Sequence, residues 1–290
     1  MARMFSALTA HGSTALFVLL WSGGAIFSKI GLASATPFAF LLMRFGLALI
    51  ALAGLAGWRR RWLPQPGTRR QVAFTGLLLT GGYTICYLLA LEYGVTPGVL
   101  ATVLGVQPIL TLLIIERRLS PARLGGLGLA LAGLALIVMQ NGFAGFAAPG
   151  MAYALVALGC VTLGTILQKR VPQDPADVLP LQYVIGFVLC LAIVPFQSWR
   201  VEVTAGLVMA LLWMGLIISV GATLLLYRLI QRGDLVNVTS LFYLVPIVTV
   251  ILDALILGNW PNVHSIAGMA LILGGLALVF RGPGVKRPGA

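Results

Sequence analysis

The sequence predicts an all-α integral membrane protein, with ten transmembrane helices arranged as two inverted five-helix repeats around a central cavity and both termini cytoplasmic. Three observations carry that expectation. Of 290 residues, 60% are hydrophobic and only 9% are charged, at a mean hydropathy of +1.03. A soluble domain carries about 25% charged residues, so there is too little charge here to cover a water-facing surface, and the solvent must be lipid. The apolar runs are continuous and about 20 residues long, which is helix-spanning length and not the alternation of a β-barrel strand. Finally, Lys and Arg gather in alternate gaps between the runs.

Taken in order, the first half (residues 1–140) offers spans at about 13–33, 37–57, 72–91, 97–115 and 121–139. The second half (141–290) offers spans at about 150–168, 178–197, 204–227, 235–257 and 262–280. The gaps are short and carry turn chemistry, such as Pro64, Gln65, Pro66 and Gly67, or Pro172, Gln173, Asp174 and Pro175. None is long enough for a soluble domain. The first span has a second reading: Arg3, an apolar stretch and then Ala33, Ser34 and Ala35 also fit a secretory leader with its cleavage site. The internal repeat needs this span, and it is kept as a helix.

Orientation follows from the cations. Arg59, Arg60, Arg61, Arg69 and Arg70 share one side with Arg117, Arg118, Arg123, Lys169, Arg170, Arg228 and Arg232. The termini add Arg3, Arg281, Lys286 and Arg287, making sixteen against Arg200 alone on the other side. That places both termini in the cytoplasm. The net charge of +12 therefore reports topology, and the expected partners are membrane lipid and a small-molecule substrate, with no nucleic acid. Cys86, Cys160 and Cys190 lie inside apolar runs without metal-ligand spacing. They read as small buried hydrophobes, and neither a metal nor a cofactor is expected.

The halves share a pattern. Pro108, Ile109, Leu110 and Thr111 match Pro246, Ile247, Val248 and Thr249 at an offset of 138. Gly133, Leu134, Ala135 and Leu136 match Gly275, Leu276, Ala277 and Leu278 at 142, and Gly24 and Lys29 fall opposite Gly164 and Lys169 at 140. Five spans per copy is an odd number, so the second copy enters the membrane from the opposite face. Inverted repeats of this kind build secondary transporters, with the substrate site near the midplane.

Candidate residues follow from cost. Pro108 and Pro246 sit in corresponding spans, and each removes a backbone donor that lipid cannot replace. With Gln107, Thr111, Tyr243 and Thr249 beside them, they line a cavity or else only shape helix packing. Lys29 and Arg44 are ionisable groups within spans; they attract a substrate carboxylate or close an outer gate, or else snorkel or form fixed pairs. Asp253 and Glu92 are the possible coupling acids, with His264 also near a span end. Tyr83 and Tyr87, spaced i, i+4, present an aromatic face that Trp21, Tyr183, Trp213 and Tyr243 extend; ordinary packing is the alternative. Thr102 and Ser240 occupy matched positions and bind ligand or their own backbone. Gly125, Gly126 and Gly128, with Gly274 and Gly275, read as close helix contacts.

These residues carry a resemblance. Trp21, Ser22, Gly23 and Gly24 in span one, Arg44 and Phe45 in span two, the prolines, Glu116 and Arg117 after span four, and the Gly126/Gly133 and Gly268/Gly275 spacing resemble the drug/metabolite transporter (DMT) superfamily. The similarity is to its ten-helix EamA-type branch, and most to the YddG-type exporters of aromatic amino acids. One departure is Ala254 opposite Glu116. The resemblance implies a secondary transporter that exports aromatic and other neutral amino acids by alternating access across the inner membrane. Export of cationic or aromatic drugs or other small metabolites is the alternative, and outside transport a channel or membrane scaffold. The small multidrug exporters of that superfamily keep a glutamate in span one, and none stands there here. An enzyme is not expected: there is no H-E-x-x-H, P-loop or acidic cluster, and two histidines and seven acids leave little for catalysis.

Overall fold

Several helices start on the chemistry that the gaps advertise. Thr36, Thr96 and Asp174 each stand directly before a proline, so the first helical position carries the residue that needs no N–H there. Thr96 accepts a hydrogen bond from the Val99 amide, Asp174 from Ala176 and Thr204 from Leu207, which satisfies one exposed donor at each helix start.

The computed structural model describes residues 2–115, 121–142, 148–231 and 235–281, with the side chains of 2–17, 112, 122, 123, 137–142, 229, 235–244 and 279–281 excepted. Among the described residues the chain is almost wholly helical. The first half holds α1 (Ala2–Ser34), α2 (Pro37–Arg59), α3 (Arg69–Glu92), α4 in two pieces (Pro97–Leu104 and Gln107–Ile115) and α5 (Pro121–Gly142). The second holds α6 (Ala148–Lys169), α7 (Pro175–Ile193), α8 (Ala205–Leu212 continuing through 213–231), α9 (Leu235–Leu257) and α10 (Val263–Arg281). Six helical bodies are long and apolar enough to cross a membrane: Pro37–Arg59, Arg69–Glu92, Pro97–Ile115, Ala148–Lys169, Pro175–Phe196 and Ala205–Arg228. Shorter apolar helical stretches are Val18–Ser34, Leu124–Leu136, Val245–Leu257 and Val263–Leu278.

The core is built around α2. Phe40, Leu41, Phe45 and Leu52 are fully buried there, against Leu88 and Leu91 of α3, Leu179 of α7 and Leu207 of α8. The outer surface is apolar too: Ile50, Val188 and Leu255 are exposed where the surrounding medium is hydrocarbon. Exposed tryptophans mark the ends of the helices, Trp58 and Trp62 at one end and Trp199 and Trp260 at the other, as an interfacial belt requires.

The expected prolines act differently. Pro108 stands at the second position of a new helical piece, after a genuine break at Gly105 and Val106. Pro246 lies inside the unbroken α9. The two sites meet, because a Cβ on Gly105 would stand 3.0 Å from Pro246 Cγ. Departures from α-geometry also occur in α3 and α8, which run as π-helix over Leu77–Gly82 and Trp213–Ala222.

Helix pairing is regular. α1 packs on α8 and α9, α6 on α3 and α4, α2 on α7 and α8, α3 on α7, α4 on α9 and α5 on α10. The α5–α10 contact depends on glycine: a Cβ on Gly133 would lie 2.5 Å from the Gly268 carbonyl oxygen, and one on Gly275 would lie 2.4 Å from that of Gly126. Gly133→Ala should therefore force these backbones apart and destabilise the protein by about 1–3 kcal/mol, the usual range for overpacking. Gly125→Ala, with nothing within 4 Å of the new methyl, should be neutral. Thermal melts of the detergent-solubilised variants check this, and equal melting points would mean the contact opens without cost.

Candidate functional site

The helix pairing leaves a cavity of about 170 Å³ between the two halves, walled by residues of α1, α2, α3, α4, α6, α7, α8 and α9. Arg44 is the contribution of α2 to this wall and Tyr183 that of α7. Among the described residues the wall contains one charged side chain, Arg44, and no Asp or Glu.

Arg44 is 5% exposed. Its Nε–H donates to Ser219 Oγ at 3.0 Å, and Ser219 in turn donates to the Met214 carbonyl at 2.6 Å, five residues back within the π-helical stretch of α8. The guanidinium carbon stands 5.8 Å from the Phe45 ring centroid. No carboxylate pairs with it among the described residues, although a guanidinium carries five N–H donors. Burying that charge without a counter-ion is expensive, which marks the cavity as a place where an anion lowers free energy.

Aromatic side chains make up part of the wall. Tyr83 and Tyr87 meet edge to face with ring centroids 5.7 Å apart, and both border the cavity with Trp21. Tyr183 also borders it, 3% exposed and held edge-on against Phe45 at 5.5 Å. Gln107 donates its amide to Thr165 Oγ at 3.1 Å, next to Pro108 and Thr111. Thr249 and Pro246 face them from α9.

Other expected residues lie elsewhere. Lys29 does not border the cavity; its ammonium donates to the Leu91 carbonyl at 2.8 Å, capping the end of α3. Trp213 sits behind the wall, stacked on Phe27 at 4.7 Å. Thr102 donates to the Gly98 carbonyl at 2.7 Å on its own helix, so a backbone partner satisfies it. Asp253 lies in a separate outer pocket, 2% exposed, accepting from the Gly98 amide at 2.7 Å and from Asn259 Nδ2 at 2.8 Å. Glu92 is exposed at the end of α3. The side chains of Ser240 and Tyr243, and Glu116 and Arg117, lie outside the described residues.

Sequence reasoning missed a buried amide relay. Gln182 donates to Gln168 Oε1 at 2.7 Å and accepts from the Tyr227 hydroxyl at 2.9 Å, while its carbonyl accepts from Thr80. Tyr227 and Thr80 border the cavity. The signal was present, since polar side chains inside apolar spans need partners, but composition alone does not say that these glutamines face one another.

At the end of α2 an ion-pair cluster joins the halves. Arg59 reaches Asp174 at 3.0 Å and Asp177 at 3.1 Å, and Arg61 reaches Asp177 at 3.2 Å. Burial works to raise the Asp174 carboxyl, but the Ala176 amide and Arg59 outweigh it and hold it below the ordinary carboxylate range.

A multi-pass helical bundle with a polar-spotted cavity between its halves is an integral protein of the inner (plasma) membrane. Residues 9–139 and again 148–281 match the EamA-like transporter family, and the chain belongs to that family. It is 27% identical over 281 residues to an "Uncharacterized transporter" of Archaeoglobus fulgidus, covering 92% of this chain and 96% of that one. It is 25% identical over 294 residues to a "Probable amino-acid metabolite efflux pump" of Salmonella typhimurium, covering 94% and 95%. A solved crystal structure shares the fold at a TM-score of 0.66 and 23% identity, over 93% of this chain and 96% of that one. The protein is thus a transporter in the DMT superfamily, and its substrate is a small molecule.

The Asp174 pair gives stability a pH dependence. Because the native carboxyl titrates below its unfolded value, its contribution is complete above the ordinary Asp range and fades as pH falls through the lowered native value. In detergent melts below about pH 4, wild type should lose more stability than Asp174→Asn, by less than about 1 kcal/mol because the pair is partly exposed. Parallel curves would mean the pair contributes nothing.

Proposed function

We propose that the protein exports amino acids, aromatic and other neutral ones, by alternating access, and that the cavity is the substrate site. The observation that carries this reading is the Arg44 guanidinium, without a carboxylate partner among the described residues, set in a wall of Tyr83, Tyr87, Tyr183 and Trp21. A cation suits the carboxylate of an amino acid through paired N–H donors, and the rings suit a flat apolar side chain. The name of the Salmonella typhimurium relative points the same way. The same charge repels organic cations, which disfavours the cationic-drug alternative.

The machine behind this is two inverted five-helix halves, residues 1–140 and 141–290, crossing the membrane ten times with both termini cytoplasmic. Three observations support the duplication. The family match recurs in each half. The helix pairs exchange under it, so that α1 on α8 and α9 corresponds to α6 on α3 and α4. The π-helical stretches fall in the third helix of each half, and each packs beside a matched glycine, Gly24 against Ile218 and Gly164 against Leu79. Rocking of one half against the other then exposes the cavity to either side.

Proteoliposomes preloaded with unlabelled tryptophan should accumulate labelled phenylalanine by counterflow. Activity toward other solutes with no phenylalanine counterflow would move the substrate away from aromatic amino acids. Arg44→Gln should weaken apparent affinity for phenylalanine by about tenfold or more, the loss of a charge-assisted contact. Lys29→Met, which removes a helix cap, should leave apparent affinity unchanged. Equal effects of the two would detach Arg44 from binding.

The break at Gly105 and the contact with Pro246 make both prolines hinge positions. Pro108→Ala and Pro246→Ala should slow counterflow without a matching loss of insertion. Wild-type rates in both, measured on equal amounts of inserted protein, would dismiss the hinge.

A further inference from the structure

Among the described residues, the cavity wall offers a cation for a carboxylate but no anion for an ammonium. We propose that it recognises a carboxylate joined to a flat apolar body without requiring the α-ammonium group, so that aromatic 2-hydroxy acids are carried alongside amino acids. This rests on reading the cavity as the transport site.

A carboxylate can engage two guanidinium N–H groups side by side, and Arg44 spends only its Nε–H on Ser219 among the described residues. An ammonium brings three donors and a full charge, and a site built to select it would set a carboxylate within reach. The acids among the described residues stand elsewhere, Glu202 beside Arg200 at 3.8 Å. Asp253 belongs to the outer pocket, with one oxygen taken by the Gly98 amide and the other by Asn259. Glu92 is exposed at the end of α3. Asp174 and Asp177 are bound by Arg59 and Arg61.

What the wall does offer is neutral. Thr111 and Thr165 have donated their hydroxyl protons to carbonyls of their own helices and keep acceptor capacity. The hydroxyls of Tyr83 and Tyr87 make no protein hydrogen bond among the described residues and serve as either donor or acceptor. Such groups satisfy an α-hydroxyl as readily as an ammonium. The ammonium also carries the larger desolvation penalty and is repelled by Arg44. The contacts that remain, carboxylate on guanidinium and ring on ring, are common to both substrate types.

The test compares three molecules of nearly one shape: phenylalanine, L-3-phenyllactate (hydroxyl for ammonium) and phenethylamine (no carboxylate). Each competes against counterflow of labelled phenylalanine in proteoliposomes of the full-length protein, and labelled phenyllactate is then followed directly against internal tryptophan. The expected result is a phenyllactate apparent affinity within about tenfold of that of phenylalanine, counterflow of phenyllactate itself and no competition from phenethylamine. Arg44→Gln should weaken both carboxylates in parallel, and Arg44→Lys should restore part of the loss; if neither variant folds, the wild-type competitor series decides alone. Intact phenylalanine counterflow with phenyllactate more than about a hundredfold weaker, or with phenethylamine as the better competitor, overturns the proposal and leaves amino-acid transport standing. No counterflow of either carboxylate by folded protein overturns both.

Discussion

In hydrocarbon no water is present to satisfy a backbone group, so each N–H and C=O must find its partner inside the protein. The rest of this structure depends on that constraint. It turns the spans into helices, and it favours departures from α-geometry where protein or cavity can receive the freed groups. The break at Gly105 and Val106 lies on the cavity wall beside Pro246. The π-helical stretches of α3 and α8 likewise contribute Leu79, Thr80, Met214 and Ile218 to that wall. Irregular backbone and the candidate site coincide because the same opening tolerates both.

Hydroxyl groups are handled under the same rule. Thr75, Thr80, Thr102, Thr111, Thr162 and Thr165 each donate to the carbonyl four residues back, which hides a polar group without a tertiary partner. Thr80 reaches further and also bonds Gln182 across to α7. Ser219 and Thr223 bond five residues back, to Met214 and Ile218, because the π-helix offers those carbonyls instead. A local change of helical repeat thus decides where Arg44 meets Ser219.

This explains how far the sequence could be read. The helical bodies follow from apolar run length, and the starts at Pro37, Pro97 and Pro175 follow from the Thr-Pro and Asp-Pro pairs. The i, i+4 spacing of Tyr83 and Tyr87 put both on the cavity, and the depth of Arg44 within its span pointed to burial. Lys29 and Trp213 do not border the cavity, and the sequence could not show this, because which side of a helix faces the cavity depends on its rotation in the bundle. The Gln168–Gln182–Tyr227 relay was invisible for a related reason: its members come from three helices, and no pattern within any one of them registers the others. The different behaviour of Pro108 and Pro246 could not be read from either proline alone. Gly105 keeps helical angles, and what its missing side chain allows is the close approach of Pro246 from α9.

Lys29 and Arg44 are both cations within apolar spans, but their partners differ. Both are positive charges inside apolar segments, and both incur the cost of leaving water. Lys29 recovers it at the carboxyl end of α3, where the Leu91 carbonyl and the negative pole of the dipole accept a point charge. A lysine suits that position because one short contact suffices. Arg44 has a fork of donors with only Ser219 opposite, and neither a helix end nor a carboxylate among the described residues completes it. On the reading of the cavity as the substrate site, the partner of that fork is the substrate's own carboxylate. A charge with no counter-ion among the described residues then favours the loaded state over the empty one.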